Sequence, residues 1–482
     1  MNKRDKTRIT LKIKQMAKDV KEFLSSDENQ VYPAYHSDFF LVSSFDDERE
    51  EILVNLLNDQ TYAAKFSEEY LEKLLKEKVT TLMQSLRQRE LSGVRPQKLA
   101  GETAEAIFSE LDSYTTKLTI YLPVTGLNIQ PEEGKFEIGN ITFQNMTQER
   151  IDEIIGHLSS TIKVLKYSDE EKQHLITFYT KEIKQRFQEK ENQVYAIYHI
   201  VAEPIQAEKR AKEACYEVFD LLRYALPRIS TLYPMGFSIP MGYIDKSIGE
   251  TNKYAQRDKQ IQAVTDKYVS FGLQGEIGTH TESISNIIIL RDTPGFNWKI
   301  SRKERPYSLP INAPIIEVLE KDKVFEASKI LKKDKVSRTD FERCILRSIH
   351  WFANAQTPMQ PEYVLLSLMS SIETFLNPPG GHGDVTTAIV NGVAALGGTQ
   401  GYNYAKKRMN ELYDKRSALS HGDHRVIFER DISELRAIAF YLIHQMLQST
   451  DEFTTQEQLY KDVEKIREEI KQENSASSPQ EE

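Results

Sequence analysis

The sequence predicts an α+β N-terminal region followed by an all-α helical bundle, and three observations carry that expectation. Between Lys117 and Phe143 apolar and polar residues alternate, the period of strands with one buried face. From Phe341 onward apolar residues recur every three or four positions, the period of a helix face. Those stretches are cut by Pro358, Asn377–Gly383, Gly397-Gly398 and His421-Gly422, and short connections between helices imply antiparallel neighbours in a bundle. Length is the third: 482 residues exceed one ordinary core, so two or three domains are expected.

Taken in order, residues 1–115 read as a mainly helical N-terminal segment. It opens on a basic amphipathic helix within residues 1–30, with Met16, Val20 and Phe23 on its apolar side. An aromatic-rich patch from Tyr32 to Phe45 has no clear period. Leu71, Leu74, Leu75, Leu82, Met83 and Leu86 then give a helix one apolar face, whose default role is packing. Residues 116–298 form the α+β region, a candidate sensing or regulatory region. Leu118, Ile120 and Leu122 alternate with Thr119 and Tyr121, and Pro131–Gly134 supplies a turn. Phe136, Ile138, Ile141 and Phe143 continue across Gly139-Asn140 as a hairpin. Val194–Val201 is a further strand, leading into a helix that Pro227 is expected to end. Gly236–Ile244 and Ile284–Leu290 complete an antiparallel or mixed sheet.

Proline-rich residues 299–314 read as the linker. Residues 315–455 are the helical domain, with helices at Phe341–Ala355, Tyr363–Leu376, Val385–Leu396, Asn403–His421 and Ile432–Leu447. Residues 456–482 are a charged helix and a disordered tail.

Composition bounds the function. An apolar fraction of 39% with 28% charged residues suits a globular protein in water. No apolar run approaches bilayer-spanning length; the longest, around Ala437 to Ile443, fits a core helix. Lys12 and Lys14 break any signal-peptide core after the basic N-terminus. Cys215 and Cys344 stand far apart inside expected helices, which points to a reducing cytoplasm. A formal net charge of −9 argues against a surface coated for bulk nucleic-acid binding. It leaves room for a local groove: Lys299, Arg302, Lys303, Arg305, Lys332, Lys333, Lys335 and Arg338 crowd the segment before the bundle and are candidate RNA contacts. There is no phosphate loop, dinucleotide fingerprint or His-Glu-x-x-His motif, so neither cofactor nor metal is expected.

The stretch that carries chemistry is Tyr413–Gly422. Ala405, Met409, Leu412, Arg416 and Leu419 share one helical stripe, so Arg416 stands where the stripe is otherwise apolar. A guanidinium turned inward needs an acidic partner or an anionic ligand. Leu365, Met369, Glu373 and Leu376 line a stripe of an earlier helix, which makes Glu373 that partner in a core-facing pair. The alternative for the pair is a purely structural salt bridge. His421 precedes Gly422, a residue favoured just past a helix end, and is expected in the last turn near the negative end of the dipole.

The words Leu412-Tyr413, Arg416-Ser417 and His421-Gly422, with Ser371-Ile372-Glu373 upstream, resemble the signature of the ApeA-like branch of HEPN domains. Their nuclease motif is an arginine, four to six residues, and a histidine. The resemblance spans Thr339 to Gln448. It implies a HEPN bundle with Arg416 and His421 catalytic and Glu373, Tyr413 and Ser417 in support. It implies a metal-independent endoribonuclease of abortive-infection antiphage defence, a homodimer or higher homo-oligomer that brings two Arg–His pairs together. The N-terminal region is then expected to sense a phage-derived trigger. The residues suit that chemistry, since histidine moves protons near neutral pH and arginine matches phosphate oxygens with parallel donors. The alternative is a non-catalytic HEPN protein that binds RNA or a partner protein.

Overall fold

Clustered contacts divide the chain into two units, Met1–Ile120 with Tyr198–Lys212, and Tyr121–Ile197 with Glu213–Glu482. The computed structural model describes residues 3–24, 46–89, 95–114, 117–125, 127–130, 134–163, 167–188, 194–232, 272–273, 309–356, 360–378, 384–423 and 425–476. These are mostly helical, with a small sheet. The expectations for Tyr32–Phe45, Gly236–Ile244, Ile284–Leu290, residues 299–308 and residues 477–482 lie outside the described residues.

The first unit is built from α1 (Lys3–Leu24), α2 (Asp46–Leu57), α3 (Gln60–Ala63), α4 (Glu68–Arg89) and α5 (Pro96–Asp112). Ile9, Ile13 and Met16 share a core with Ile52 and Leu56, Leu71 and Leu75, and Ile107 and Leu111. The leucine face read in the sequence is therefore a packing face. Pro96 opens α5, where a missing N–H costs nothing because helix starts leave that group unpaired anyway.

The second unit contains most of the sheet. The strands are β1 (Lys117–Thr125), β2 (Leu127–Ile129), β3 (Lys135–Ile138), β4 (Ile141–Asn145), β5 (Val194–Val201), β6 (Gly272–Leu273) and β7 (Leu309–Ile311), of which the start of β1 and the end of β5 belong to the first unit. Five of them run in the order β3-β4-β5-β1-β6, and β2 pairs in parallel with β7, Leu127 opposite Leu309. β3 and β4 form the expected hairpin, with Ile138 opposite Ile141. Gly139 turns it at φ 58°, a left-handed conformation that glycine adopts without a Cβ clash.

After the hairpin come α6 (Gln148–Lys163), α7 (Asp169–Gln188) and, following β5, α8 (Pro204–Leu232). The expected stop at Pro227 does not occur, and α8 continues through it. Leu221, Leu222, Tyr224, Ala225 and Leu226 are buried just before the proline. Burying those side chains outweighs the ~3 kcal/mol that an interior proline costs.

The stretch read as a linker also differs. Residues 309–311 are β7, and α9 (Ala313–Lys321) begins directly after Asn312, whose Oδ1 accepts the Ile315 N–H at 3.2 Å. Pro314 sits in the first turn, the one helical place where proline fits. The next helix, α10 (Val324–Lys332), packs on the hairpin: Gly139 N–H donates to Ser328 Oγ at 2.7 Å, and Asn140 Nδ2 to the Leu331 carbonyl at 3.3 Å. Sheet and bundle thus share one unit instead of flanking a spacer.

The helices expected from the period follow: α11 (Asp340–Asn354), α12 (Pro361–Leu376), α13 (Val385–Leu396), α14 (Gly398–Ser420), α15 (Glu429–Gln448) and α16 (Gln456–Ala476). A capping box starts α11, with Thr339 Oγ1 accepting the Glu342 N–H at 3.1 Å and Glu342 Oε2 accepting the Thr339 N–H at 2.9 Å. The central helix is α12, which touches α11, α13, α14, α15 and α16. Ser348 and Ser371 let α11 and α12 approach closely, each hydroxyl donating to the other's carbonyl at 2.9 Å. No described helix is long and apolar enough to cross a membrane.

Candidate active site

Glu373 stands in the last turn of α12 and Arg416 near the end of α14, and the two helices bring them together. Arg416 Nη2 donates to Glu373 Oε2 at 3.2 Å, and Nε lies 2.9 Å from Oε1. The second contact is an ion pair rather than a directed bond, because no N–H is aligned on Oε1. The side chains are 31% and 17% exposed, so the pair is half-buried and not core-facing as the stripes suggested. Both residues sit close to helix ends, where water reaches the seam.

Tyr413, one turn earlier, is buried, and the Arg416 Cζ lies over its ring, 5.6 Å from the centroid. Burial first, and then the Glu373 charge, hold the Tyr413 hydroxyl above the ordinary tyrosine range, so it stays neutral. On the other side Arg416 Nη1 reaches Ser420 Oγ at 3.4 Å, and that hydroxyl donates to the Arg416 carbonyl at 3.0 Å. The guanidinium is thus held on three sides. One N–H on Nη1 and one on Nη2 have no partner among the described residues.

His421 is the C-cap of α14, one residue beyond the last turn in which the sequence reading placed it. Gly422 takes φ 83°, its N–H donates to the Leu419 carbonyl at 3.1 Å, and the Asp423 N–H donates to the Ala418 carbonyl at 2.9 Å. These two bonds are the Schellman closure, which fixes the His421 backbone. The Ser417 carbonyl accepts the His421 N–H at 3.1 Å, and the Ser417 side chain is half-exposed. The imidazole itself is exposed and has no hydrogen-bond or ion-pair partner among the described residues. Four residues separate it from Arg416, and the five steps of helix between them rise ~7.5 Å along the axis.

A second face of α14 carries an anchor that the sequence reading missed. Asp431, 2% exposed, accepts from Lys415 Nζ at 2.6 Å and from the Phe428 N–H at 2.9 Å, and pairs with Arg408. Arg408 also meets Glu411 at 2.9 Å and Glu434. Lys415 Nζ further donates to the Val426 carbonyl at 3.0 Å and lies 4.8 Å from the Phe428 ring centroid. Burial alone pushes the Asp431 carboxyl up; its bonds from Lys415, Phe428 and Arg408 together hold it below the usual carboxylate range. The available signal was Phe428-x-x-Asp431, a carboxylate at the third position of a helix, where it reaches back to the cap N–H.

Of the candidate RNA contacts, Lys299, Arg302, Lys303 and Arg305 lie outside the described residues. Lys332 is exposed. Lys333 pairs with Glu342 at 2.5 Å, and Lys335 with Glu213 and Glu217 at 3.0 and 3.4 Å. Arg338 is 8% exposed and donates to the Leu331 and Lys333 carbonyls at 3.2 and 3.3 Å, so it braces the turn between α10 and α11 instead of facing a ligand. No group of three His, Cys, Asp or Glu side chains among the described residues is placed to hold a metal ion. No protein-family model matches this chain, and no curated protein or solved structure matches it either.

Proposed function

We propose that the chain is a HEPN-type endoribonuclease of the ApeA-like kind, with Arg416 and His421 as its catalytic residues. The observation that carries this is a guanidinium held on three sides with two terminal N–H groups unspent, on the same helix end as an imidazole, both without a further partner among the described residues. His421 takes the proton from a 2′-hydroxyl, whose oxygen attacks the adjacent phosphorus while the bond to the 5′-oxygen breaks. Arg416 neutralises the charge that builds on the phosphoryl oxygens. The 5′-oxygen leaves with a proton from a second acid, which a second copy's imidazole supplies in a homodimer. The products are a 2′,3′-cyclic phosphate and a 5′-hydroxyl. Because the cationic work falls to arginine, no divalent ion is required.

In this reading the remainder of the chain keeps the nuclease silent until a phage-derived trigger arrives, and the protein acts in the cytoplasm, which two buried free cysteines suit. One observation favours a second reading, a HEPN protein that binds RNA or a partner without cutting: most of the Arg416 donors already serve Glu373 and Ser420, as in a structural bridge. Incubating purified protein with RNA separates the two. Arg416→Ala and His421→Ala should each abolish cleavage with the fold and oligomeric state intact, and excess chelator should leave wild-type activity intact. Strict dependence on a divalent ion, or cleavage by both variants, refutes the mechanism.

A further inference from the structure

Phe428 is the residue just before α15, and its side chain is 60% exposed although its backbone is tied down. Its N–H is held by Asp431 Oδ2 at 2.9 Å, and its carbonyl accepts the Asp431 N–H at 2.9 Å. One face of the ring lies on Lys415 Nζ, 4.8 Å from the centroid. Its neighbour Val426 is 70% exposed, with its carbonyl likewise held by Lys415. An exposed aromatic is ordinarily a loose side chain of no consequence. This one is held by a buried carboxylate and a lysine whose next neighbour in α14 is Arg416.

We infer that Phe428 is a stacking platform for an unpaired base of the RNA on which Arg416 and His421 act; the inference rests on the ribonuclease reading. Three points select this occupant. The ring is backed by a cation, and the exposed Arg425 lies three residues before it (Arg430, also exposed, is paired with Glu434), which suits a base attached to an anionic backbone. Its position is already restricted, so stacking a base on it orders little that is free. Lys415, which carries the ring, adjoins Arg416 in α14 and lies ~9 Å of helical rise before His421, the span of one or two nucleotides. A base inside a duplex has both faces covered, so only unpaired RNA can use the platform.

Binding to catalytically silent His421→Ala protein tests this, with a fluorescent single-stranded oligoribonucleotide and a perfect duplex of the same composition. Adding Phe428→Ala should weaken single-strand binding roughly tenfold or more, the size of one base–aromatic stack. Phe428→Trp should retain the affinity, Phe428→Leu should lose it, and duplex binding should not change. Unchanged single-strand binding by Phe428→Ala, or full affinity in Phe428→Leu, overturns the platform. So does a fall in oligomer size on sedimentation of Phe428→Ala, which makes the ring a contact between protein chains. If the wild-type chain cuts no RNA but still binds single strands through the ring, the ribonuclease reading fails and the platform stands. If it cuts RNA and Phe428→Ala leaves KM unchanged, the platform alone fails.

Discussion

Glu373 grips Arg416 along one edge, Nη2 to Oε2 at 3.2 Å and Nε to Oε1 at 2.9 Å, and so decides which edge of the guanidinium faces out. A planar fork held along one edge presents its remaining donors in a fixed plane.

Substitutions of Glu373 separate those two effects. Glu373→Gln keeps the volume and one acceptor, so melting should change by less than about 1 kcal/mol while RNA cleavage falls. Glu373→Ala should lower stability by about 1–2 kcal/mol. A fully buried pair would cost about 3–5 kcal/mol, but here water reaches both partners. Thermal melts paired with a cleavage assay check both points, and wild-type cleavage by Glu373→Gln would remove the orienting role.

The Asp431 anchor should behave differently because the carboxylate is 2% exposed and serves two cations and a backbone N–H. Asp431→Ala leaves Arg408 and Lys415 without their shared partner, so a loss of about 3 kcal/mol is expected. The native contacts lower the folded-state pKa. Their stabilisation is therefore present above the unfolded carboxylate pKa and is lost as pH falls through the folded one. Denaturant unfolding at neutral and acidic pH should show the gap between wild type and Asp431→Ala narrowing toward acid.

The contrast between these two carboxylates shows what was legible in the sequence. Glu373 and Arg416 each fall on a 3.6-residue stripe, so their meeting was legible from the period, while their exposure near the helix ends was not. Asp431 and Lys415 break no pattern, and their contact depends on how the chain returns after Gly422. Helices such as α11, α12 and α13 were legible to within a residue or two because prolines and glycines bound them. α9 was hidden in a proline-rich stretch, since a proline in the first helical turn looks the same in sequence as one in a linker. α6 repeats Ile151, Ile154, Ile155, Leu158 and Ile162 at helical spacing and was legible though not read, whereas α7 is charged on most sides, which blurs its period.

Asp322 offers a test of pH dependence. It is fully buried between α9 and α10, Arg228 Nη1 lies 2.6 Å from Oδ1, and the hydroxyl of Tyr224 is close by in the same buried region. Neither carboxylate oxygen receives an aligned hydrogen bond. Burial therefore prevails over the attraction of Arg228 and pushes the carboxyl up to about 6. A carboxyl raised in the folded state stabilises the fold fully below its unfolded pKa, and that contribution is lost as pH rises through about 6. Asp322→Asn should match wild type near pH 3, below the unfolded carboxylate pKa, and exceed it by about 2–3 kcal/mol at pH 8. Calorimetric melts at the two pH values decide it; an equal difference at both would mean that Asp322 does not titrate in this range.

The hairpin tip at Gly139 bears on whether the bundle folds without the sheet. Gly139 has φ 58°, and a Cβ there meets Leu331 Cβ at 3.2 Å and Val218 Cγ2 at 3.4 Å. Gly139→Ala combines a left-handed alanine with that crowding, so a loss of about 1–3 kcal/mol is expected. The same contact sets the outcome of cutting the chain at residue 315. Residues 315–482 alone lose Gly139 and Asn140 as partners of Ser328 and Leu331. They also lose Tyr224, whose ring lies 4.9 Å from Phe440 and 5.6 Å from Phe352, baring both phenylalanines. That fragment should therefore melt well below the full chain or aggregate, as measured by circular dichroism and light scattering. Cooperative melting of the fragment at the full-chain temperature would show that the bundle stands alone and that the hairpin contributes nothing to it.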